Sequence, residues 1–294
     1  MRYLALSLLA LALGSCSRIP LQPEAVPAAE RDWDKLTLLT KLDDKEIDES
    51  SGVAPSHLRP GIFYTHNDSG DKPRFFSFDD KGHVTGSYSV PNAEATDWED
   101  MASASIGGKS YLYFGDIGDN NEKRKSITVY RVPEPSPGAV PTAPDQVLVL
   151  NYPDGPHNAE TLMVHPTAGD IYIVTKTSKG PSLVFKLPNP ANSGRFDLAK
   201  IGEIQTGGPI DATKLTTGGD ISPDGKHVVV RGYLGAWEFD APARFDDWVK
   251  SKPRAIQTNV EPQGEAICYS TDGKSLITTS EGQPCQVSIG KLKG

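Results

Sequence analysis

The hydrophobic pattern along the chain is that of many short β-strands. Short runs rich in Val, Ile, Tyr, Phe and Thr are separated by polar segments that contain Gly, Pro, Asn and Asp. Helical periodicity is confined to one candidate, residues 243–250 (ARFDDWVK), which is typical of a short surface helix or turn. The pattern therefore predicts an all-β fold.

One unit of this pattern recurs five times along the chain. Each copy has an acidic residue, a short apolar strand, a turn, a second strand and a polar loop. The most acidic copy is residues 94–121, which combines the segments WEDMA, YLYF and GDIGDN. The acidic residues of the five copies are Glu49, Glu99, Glu160, Asp220 and Glu265. They lie 45 to 61 residues apart, and each interval has room for two further strands.

Four antiparallel strands in roughly 45–60 residues indicate one blade of a β-propeller. The last copy ends after three strands, with residues 286–289 as the third, whereas the strand-like segment 35–40 precedes the first copy and has no blade of its own. Pairing these two strands would close the ring and remove an exposed edge. We predict five blades of four strands closed by an N-terminal strand, with six blades as the alternative if one long copy conceals two.

The N-terminus has the features of a secretory signal. A charged start, an apolar run too short to span a bilayer, and small residues before Cys16 predict a signal peptide over residues 1–15. Cys16 after Leu-Gly-Ser resembles a bacterial lipobox; an ordinary signal peptide with a chance cysteine is the alternative. Residues 16–33 are rich in Pro and Ala and predict a tether, followed by a single propeller domain over residues 34–294.

These features predict a cell-envelope protein anchored to the membrane by acyl chains on Cys16. Because Ser17 follows the cysteine in place of Asp, we expect the periplasmic side of the outer membrane if the cell is Gram-negative. The net charge of −8 comes with no basic run, which argues against nucleic acid as a partner. We expect a monomer. In an oxidising compartment, Cys268 and Cys285 form either a disulfide or two free buried thiols.

Propeller topology brings two sets of loops to one mouth of the central channel. These are the loops that lead into the first strand of each blade and the loops between its second and third strands. Several carboxylates around a channel repel one another unless a cation, protons or hydrogen-bond donors compensate. Oxygen ligands without a His or Cys cluster favour calcium, with magnesium as the alternative. The candidate metal ligands are Glu49, Asp97, Glu99, Asp100, Glu160, Asp220 and Glu265.

An alternative interpretation of the same acids needs no ligand: each accepts hydrogen bonds from backbone N–H groups of a neighbouring blade. The second set of loops supplies candidate ligand-binding residues: Asn67, Asp68, Asp71, Asp116, Asp119, Asn120, Lys176, Arg231 and Glu281. Among them, Lys176 and Arg231 could hold a phosphate or carboxylate beside a metal ion, or could form salt bridges to neighbouring acids. Trp98 is interpreted as a packing residue, with stacking on a ligand as the alternative.

The segments ESSG, NDSGD, DWEDMA and GDIGDN, with AETL, GGDISPDG and QGEAI, resemble a family of uncharacterised bacterial propeller proteins that are secreted or lipidated. The resemblance covers nearly all of the chain beyond the tether. A looser likeness to calcium-activated nucleotidases (apyrases) and to β-propeller phytases implies a cation in the channel. It implies no catalytic residue, since the detailed signatures of those enzymes are not reproduced.

Three functions are compatible with this sequence. The first is an extracytoplasmic propeller that binds a divalent cation and a ligand at the acidic mouth without chemistry. The second is a metal-dependent phosphoesterase in which Glu99 and Glu160 are essential. The third is a scaffold for other envelope proteins. Serine-hydrolase chemistry is disfavoured because the chain has no Gly-x-Ser-x-Gly motif. Whether the protein is an enzyme stays open at this point.

Overall fold

The computed structural model describes residues 31–42, 44–136, 138–139, 143–208, 210 and 213–294. The predicted signal peptide, Cys16 and the tether up to residue 30 lie outside the described residues. Asp32–Gly294 form a compact unit. Within the described ranges, no helix has the length and apolar character needed to cross a bilayer.

The compact unit is a ring of five sheets, each with its first strand innermost. Blade 1 comprises β2 (Ser50–Pro55), β3 (Ile62–Asn67), β4 (Arg74–Asp79) and β5 (Val84–Ser89). Blade 2 comprises β6 (Trp98–Ile106), β7 (Lys109–Asp116), β8 (Ile127–Pro133) and β9 (Gln146–Asn151). Blade 3 comprises β10 (Ala159–Val164), β11 (Ile171–Thr175), β12 (Ser182–Leu187) and β14 (Ala199–Ile204). Blade 4 comprises β15 (Thr216–Ile221), β16 (His227–Gly232), β17 (Gly235–Asp240) and β18 (Arg254–Ile256). Blade 5 comprises β19 (Gly264–Tyr269), β20 (Ser275–Ser280), β21 (Cys285–Lys291) and β1 (Thr37–Leu42).

The N-terminal strand closes the ring as the sequence predicts. β1 pairs antiparallel with β21, with Thr37 opposite Ile289 and Leu42 opposite Cys285. Trp33 adds an isolated bridge to Leu292. The five-bladed propeller is confirmed. The six-blade alternative is wrong because all strands of the two long intervals, the second and the third, belong to the sheets of blades 2 and 3.

One strand was not predicted. β13 (Gly194–Asp197), from the connection between β12 and β14, pairs in parallel with β9 at the outer edge of blade 2. Phe196 packs on the apolar cluster between blades 2 and 3, and Asn151 donates a hydrogen bond to Asp197 at 3.0 Å. The strand covers an edge that would otherwise expose unpaired N–H and C=O groups.

The core lies between the faces of adjacent blades, where aromatic side chains predominate. Trp98 is buried and stacks on Phe114 with ring centroids 4.9 Å apart, which confirms its packing role. The predicted surface helix is a 3-10 helix, Phe245–Lys250, and it is not purely a surface element. Its Trp248 is fully buried against Phe239, because a large apolar ring gains more from burial than from exposure.

Cys268 and Cys285 are both buried and free, so of the two alternatives the structure shows the free thiols and not the disulfide. β20 lies between their strands. Two strand spacings amount to about 9–10 Å, which exceeds the Cα separation of at most about 7 Å that a disulfide bridges. Both thiols instead pack in the apolar cluster between blades 5 and 1.

Candidate functional site

Each of the five inner strands contains a β-bulge near its start. In β6, Trp98 pairs with Asp116 and Asp100 pairs with Gly115, so Glu99 is the extra residue between them. The same register shift occurs in the other four inner strands. The five bulge residues are Ser51, Glu99, Glu160, Thr217 and Glu265. A bulge bends the strand and re-aims the extra side chain, which here places five side chains around one channel mouth.

The bulges correct the sequence alignment of the repeats. The acids of blades 2, 3 and 5 are equivalent, but the equivalents in blades 1 and 4 are Ser51 and Thr217, not Glu49 and Asp220. The sequence comparison took the nearest carboxylate as the repeat position, since a bulge leaves no sequence signature of its own. Glu49 is exposed beside the site, whereas Asp220 lies three residues further along its strand.

A carboxylate cluster formed by Asp68, Asp97 and Glu99 is the centre of the site. One oxygen from each side chain lies within 4.8 Å of the others. Asp68 follows β3 of blade 1, Asp97 precedes β6 of blade 2, and Glu99 is the bulge residue of β6. Glu99 is only 4% exposed, while the two aspartates are half-buried. The cluster therefore joins two blades and combines predicted metal ligands with a residue predicted to bind a ligand.

The carboxylate cluster is electrostatically unfavourable without a positive charge. Burial raises the pKa of Glu99 well above its usual range, and the charges of Glu160, Asp68 and Asp97 raise it further. Burial likewise raises the pKa of Asp97, with Asp68 adding to the effect. The pKa of Asp68 is raised by burial and by Glu281 and Glu49. Among the described residues, no hydrogen bond is made to the carboxylate oxygens of Glu99, and the charge of Lys176 offsets the rise in its pKa only in part.

Gly118 forms one wall of the carboxylate cluster. Its backbone lies so close to Glu99 and Asp97 that a methyl group in place of its α-hydrogen would collide with a carboxylate oxygen of each. The amide of Gly118 also donates to the backbone oxygen of Asp97 at 3.2 Å. Gly118 was not predicted as a site residue, because in the segment Gly-Asp-Ile-Gly-Asp the aspartates are the obvious candidates.

Lys176 forms its salt bridge with the neighbouring Glu160, and its charge offsets only in part the raised pKa of Asp68 and Glu99 in the carboxylate cluster. Its Nζ lies 2.5 Å from Glu160 Oε1 and 2.6 Å from the hydroxyl of Tyr233. Burial would lower the pKa of Lys176, but the charge and hydrogen bond of Glu160 outweigh it, and the pKa is raised. Burial raises the pKa of Glu160 to about 7 even with this partner. The predicted salt bridge of Lys176 is thus present, and Tyr233 completes a triad that the sequence did not reveal.

Glu265 and Glu281 extend the acidic surface on the blade 5 side. Burial, with repulsion from Glu160 next, raises the pKa of Glu265 to about 8. Burial also raises the pKa of Glu281, whose Oε2 accepts a hydrogen bond from Gln263 at 2.6 Å. The bulge glutamates of blades 2, 3 and 5 therefore share one mouth, as the repeat predicted.

Two predicted metal ligands, Asp100 and Asp220, form hydrogen bonds between blades instead. Asp100 Oδ1 accepts from the amide of Met101 at 2.8 Å, and Oδ2 accepts from those of Leu162 at 2.9 Å and Gly219 at 3.3 Å. Asp220 accepts from the amides of Ile221 at 2.8 Å and Tyr269 at 2.9 Å. Buried backbone N–H groups need acceptors, and these carboxylates supply them. These two residues therefore accept backbone hydrogen bonds, several of them from neighbouring blades, as the alternative interpretation of the acids expected.

Most of the predicted ligand-binding loop residues hold the loops in shape. Asn67 donates to Asp71 Oδ2 at 2.9 Å, and Asp71 pairs with Arg74. These contacts fix the loop of blade 1 without directing its amide or carboxylate into the carboxylate cluster.

In blade 2, Arg124 organises the corresponding loop. Its guanidinium donates to Asp116 Oδ1 at 2.8 Å, and its amide donates to Asp119 Oδ2 at 2.6 Å. Asn120 accepts from Asn158 at 3.2 Å, which ties this loop to blade 3. Arg124 was missed because it lies in a polar, charged segment that resembles an ordinary solvated loop.

Arg231 was predicted to line the mouth, but the structure places it elsewhere. Its side chain is fully buried and forms an ion pair with Glu261, which is buried as well. The guanidinium also donates to the backbone oxygen of Ala266 at 3.2 Å. A buried charge must be paired, and this pair joins blades 4 and 5 below the surface. Of the two basic side chains predicted at the mouth, only Lys176 is found there.

No family model matches this chain, and no curated protein is significantly similar to it. The resemblance to uncharacterised envelope propellers therefore stays a prediction, and the function is argued from the site.

Proposed function

We propose that the mouth of the propeller binds a divalent cation, with calcium preferred, and that the bound cation recruits an extracytoplasmic ligand. The observation that carries the proposal is the convergence of Asp68, Asp97 and Glu99 within 4.8 Å. Their raised pKa values indicate that a positive charge would relieve both desolvation and repulsion. Oxygen-only ligands suit a hard cation.

The geometry also supports an open coordination sphere. Calcium takes about 6–8 oxygen ligands, and three carboxylates supply only part of this number. The remaining positions are available to water or to an oxygen-bearing ligand that enters through the mouth. A ligand with a carboxylate or phosphate would suit these positions, since its charge would complement the cation.

The test is calorimetric titration of the metal-stripped full chain with calcium and with magnesium. We expect saturable binding of calcium, and a loss of affinity of about tenfold or more in Asp97→Asn and in Glu99→Gln, because affinity depends on the charge of the ligand set. Asp80→Asn is the matched control, since Asp80 is an exposed aspartate on a turn remote from the mouth.

A second readout separates cation binding from a purely structural role. Above the raised pKa of Glu99, its buried charge is repelled by the neighbouring acids. In that pH range Glu99→Gln should raise the melting temperature of the metal-free protein while abolishing the calcium-induced rise. If Glu99→Gln instead lowers the melting temperature of the metal-free protein and leaves calcium binding unchanged, the acids are structural and the proposal is wrong.

Hydrolysis of phosphoesters is the second candidate function. One observation favours it: the pKa of Glu160 lies at about 7 and that of Glu265 at about 8, which is the range in which a carboxyl group exchanges protons at neutral pH. Turnover of nucleotides, phytate or an aryl phosphate with calcium, magnesium or manganese, abolished by Glu160→Gln, would establish it. Calcium binding without turnover of any of these substrates would leave the binding function alone.

We also propose that Cys16 anchors the protein to the cell envelope. The support is the sequence of residues 1–16. Mass spectrometry of the full-length protein from membranes should show acyl chains on Cys16, and Cys16→Ser should release the protein into the soluble fraction. Recovery of the unmodified cysteine in membrane fractions would contradict lipidation.

A further inference from the structure

The end of the channel opposite the acidic mouth contains a cavity of about 230 Å³. The repeat itself builds most of this cavity, because four of the five blades line it with the fourth and sixth residues after the bulge, and blade 3 lines it with Pro166 and Thr167. In blade 1 these are Pro55 and His57, and in blade 2 they are Ser103 and Ser105. A cavity formed from equivalent positions around a ring is a property of the fold and not a local packing defect.

Asp100 separates this cavity from the acidic mouth. Its carboxylate accepts hydrogen bonds from the backbones of blades 2, 3 and 4, so it lies near the centre of the channel. Along β6 it follows the bulge residue Glu99 and precedes Ser103. The cavity and the acidic mouth are therefore two separate potential binding sites, and they are lined by different kinds of side chain.

His57 and Ser103 present a defined hydrogen-bonding pair on the cavity wall. The hydroxyl of Ser103 donates to the backbone oxygen of Pro55 at 2.8 Å. Since that hydroxyl has one proton, its 3.2 Å contact with His57 Nε2 requires the imidazole to donate. In the tautomer with its proton on Nε2, the ring leaves Nδ1 as an acceptor for a ligand hydroxyl. The side chains of Ser105 and Thr271 add further hydroxyls to the lining.

Asp220 also lines the cavity and provides a second kind of acceptor. Its two oxygens each receive one backbone N–H, which leaves lone pairs for a donor from a ligand. Burial raises the pKa of Asp220 to about 7. Pro166 and Pro223 give the cavity apolar patches. No Lys or Arg lies among the described residues that line it.

From this lining we propose that the cavity binds a small uncharged polyhydroxylated molecule of the size of a single sugar ring. Hydroxyl groups both donate and accept, so they match the mixed set formed by Ser105, Thr271, His57 and Asp220. The proline rings suit the C–H faces of such a molecule. An anion would find no positive partner in the lining, and burying it unpaired would be costly.

Saturation-transfer difference NMR on the full chain tests this proposal with glucose, galactose and N-acetylglucosamine as probes, and with acetate and methylammonium as charged comparators. We expect saturable binding of at least one sugar, with a Kd on the order of a millimolar for so small a ligand. Ser105→Tyr should weaken that binding about tenfold or more, because Ser105 is exposed at the rim and the larger ring fills the cavity. Ser136→Tyr is the control, since Ser136 is an exposed serine outside the cavity.

The outcomes separate this site from the cation site. Sugar binding should persist in the presence of a chelator and in Glu99→Gln, so failure of calcium binding would leave it intact. If no sugar produces a saturable signal, or if Ser105→Tyr binds as the unmodified chain does, the proposal is overturned. Binding of methylammonium alone would overturn the ligand class and identify Asp220 as the counter-ion of an amine.

Discussion

At the scale of single residues, the site depends as much on a missing side chain as on the carboxylates. The backbone of Gly118 lies against Glu99 and Asp97, where no larger residue fits without moving them. The reason is space and not backbone conformation, since Gly118 is not among the glycines with positive φ. The substitution Gly118→Ala therefore tests the geometry of the carboxylate cluster without changing its charge.

We expect Gly118→Ala to weaken calcium binding about tenfold or more, because the methyl group would displace both carboxylates from a common centre. The measurement is calorimetric titration of the metal-stripped variant. Gly180→Ala is the control, because an added Cβ at Gly180 meets no atom within 4 Å. Unchanged affinity in Gly118→Ala would mean that the cation binds elsewhere.

A substitution at Lys176 should have the opposite effect and strengthen calcium binding. Lys176 carries a positive charge close enough to lower the pKa of Asp68, Glu99 and Glu265. Lys176→Met should therefore strengthen calcium binding by about tenfold or more, because it removes a positive charge that repels the cation in the partly buried mouth. It should also lower the melting temperature of the metal-free protein, since Glu160 loses its partner.

Calorimetry at low ionic strength measures the affinity of this variant. Lys179→Met serves as the control, because Lys179 is exposed on the same loop and has no hydrogen-bonded side-chain partner among the described contacts. Weaker calcium binding in Lys176→Met would show that Lys176 helps to hold the ligand set together and does not merely compete with the cation.

The residues of the site could be predicted from the sequence only in part. Asp97 and Glu99 follow from the acidic repeat. Glu49 and Asp220 were assigned to the wrong positions because the bulge residues of blades 1 and 4 are Ser51 and Thr217, and a nearby carboxylate was taken in their place. Gly118, Arg124 and Tyr233 were missed, since their roles arise from loops of different blades that meet only in three dimensions. The sequence shows which residues are charged, but it does not show which residues pair with them in the folded protein.

At the scale of the element, the inner strands supply acidic side chains to the mouth and also form the polar contacts that join neighbouring blades. The bulge residue is a glutamate in blades 2, 3 and 5, whereas in blades 1 and 4 it is a hydroxyl that bonds to the next blade. Ser51 donates to the backbone oxygen of Glu99 at 2.5 Å, and Thr217 donates to that of Gly264 at 2.9 Å. Beyond the bulge, Asp100 and Asp220 serve as acceptors between blades. The ring is thus held together by some polar residues and left electrostatically strained by others.

Asp100→Ala tests whether the hydrogen bonds that Asp100 accepts between blades stabilise the fold. It would leave three buried N–H groups without an acceptor, at about 1–3 kcal/mol each. We expect a decrease of roughly 3 kcal/mol or more in the free energy of unfolding, measured by urea denaturation of the metal-free protein. Asp80→Ala, on an exposed turn, should change it by less than about 0.5 kcal/mol. A small effect of Asp100→Ala would mean that water replaces the carboxylate.

The strands themselves were predicted well because their signal is local. Apolar runs separated by turn segments are enough to locate β2, β6 and β10 in the sequence. The last repeat has only three strands of its own, which identifies β1 as the closing strand. β13 could not be predicted, because the short segment Gly194–Asp197 becomes a strand only through the edge of β9, which belongs to another blade.

At the scale of the whole molecule, the acids at the mouth and one buried histidine affect stability in opposite directions. Burial lowers the pKa of His66 to about 4 from 6.5, so its contribution to stability is present above pH 6.5 and is lost as the pH falls towards 4. The folded-state pKa of Glu265 is about 8, against 4.5 in an unfolded chain. Its contribution is present below pH 4.5 and is lost as the pH rises through 8.

The two effects oppose each other below pH 6.5, but above it only the carboxyl groups titrate among these residues. We therefore expect the melting temperature of the metal-free protein to fall by roughly 3 °C or more between pH 6.5 and about 8. Saturating calcium should reduce the decrease, since the cation stabilises the ionised carboxylates, and Glu265→Gln should flatten it without calcium. Thermal unfolding in a chelator and in calcium measures both. A melting temperature that rises with pH over this range in the chelator would contradict the strained acidic mouth, because repulsion among ionised carboxylates can only destabilise the folded ring.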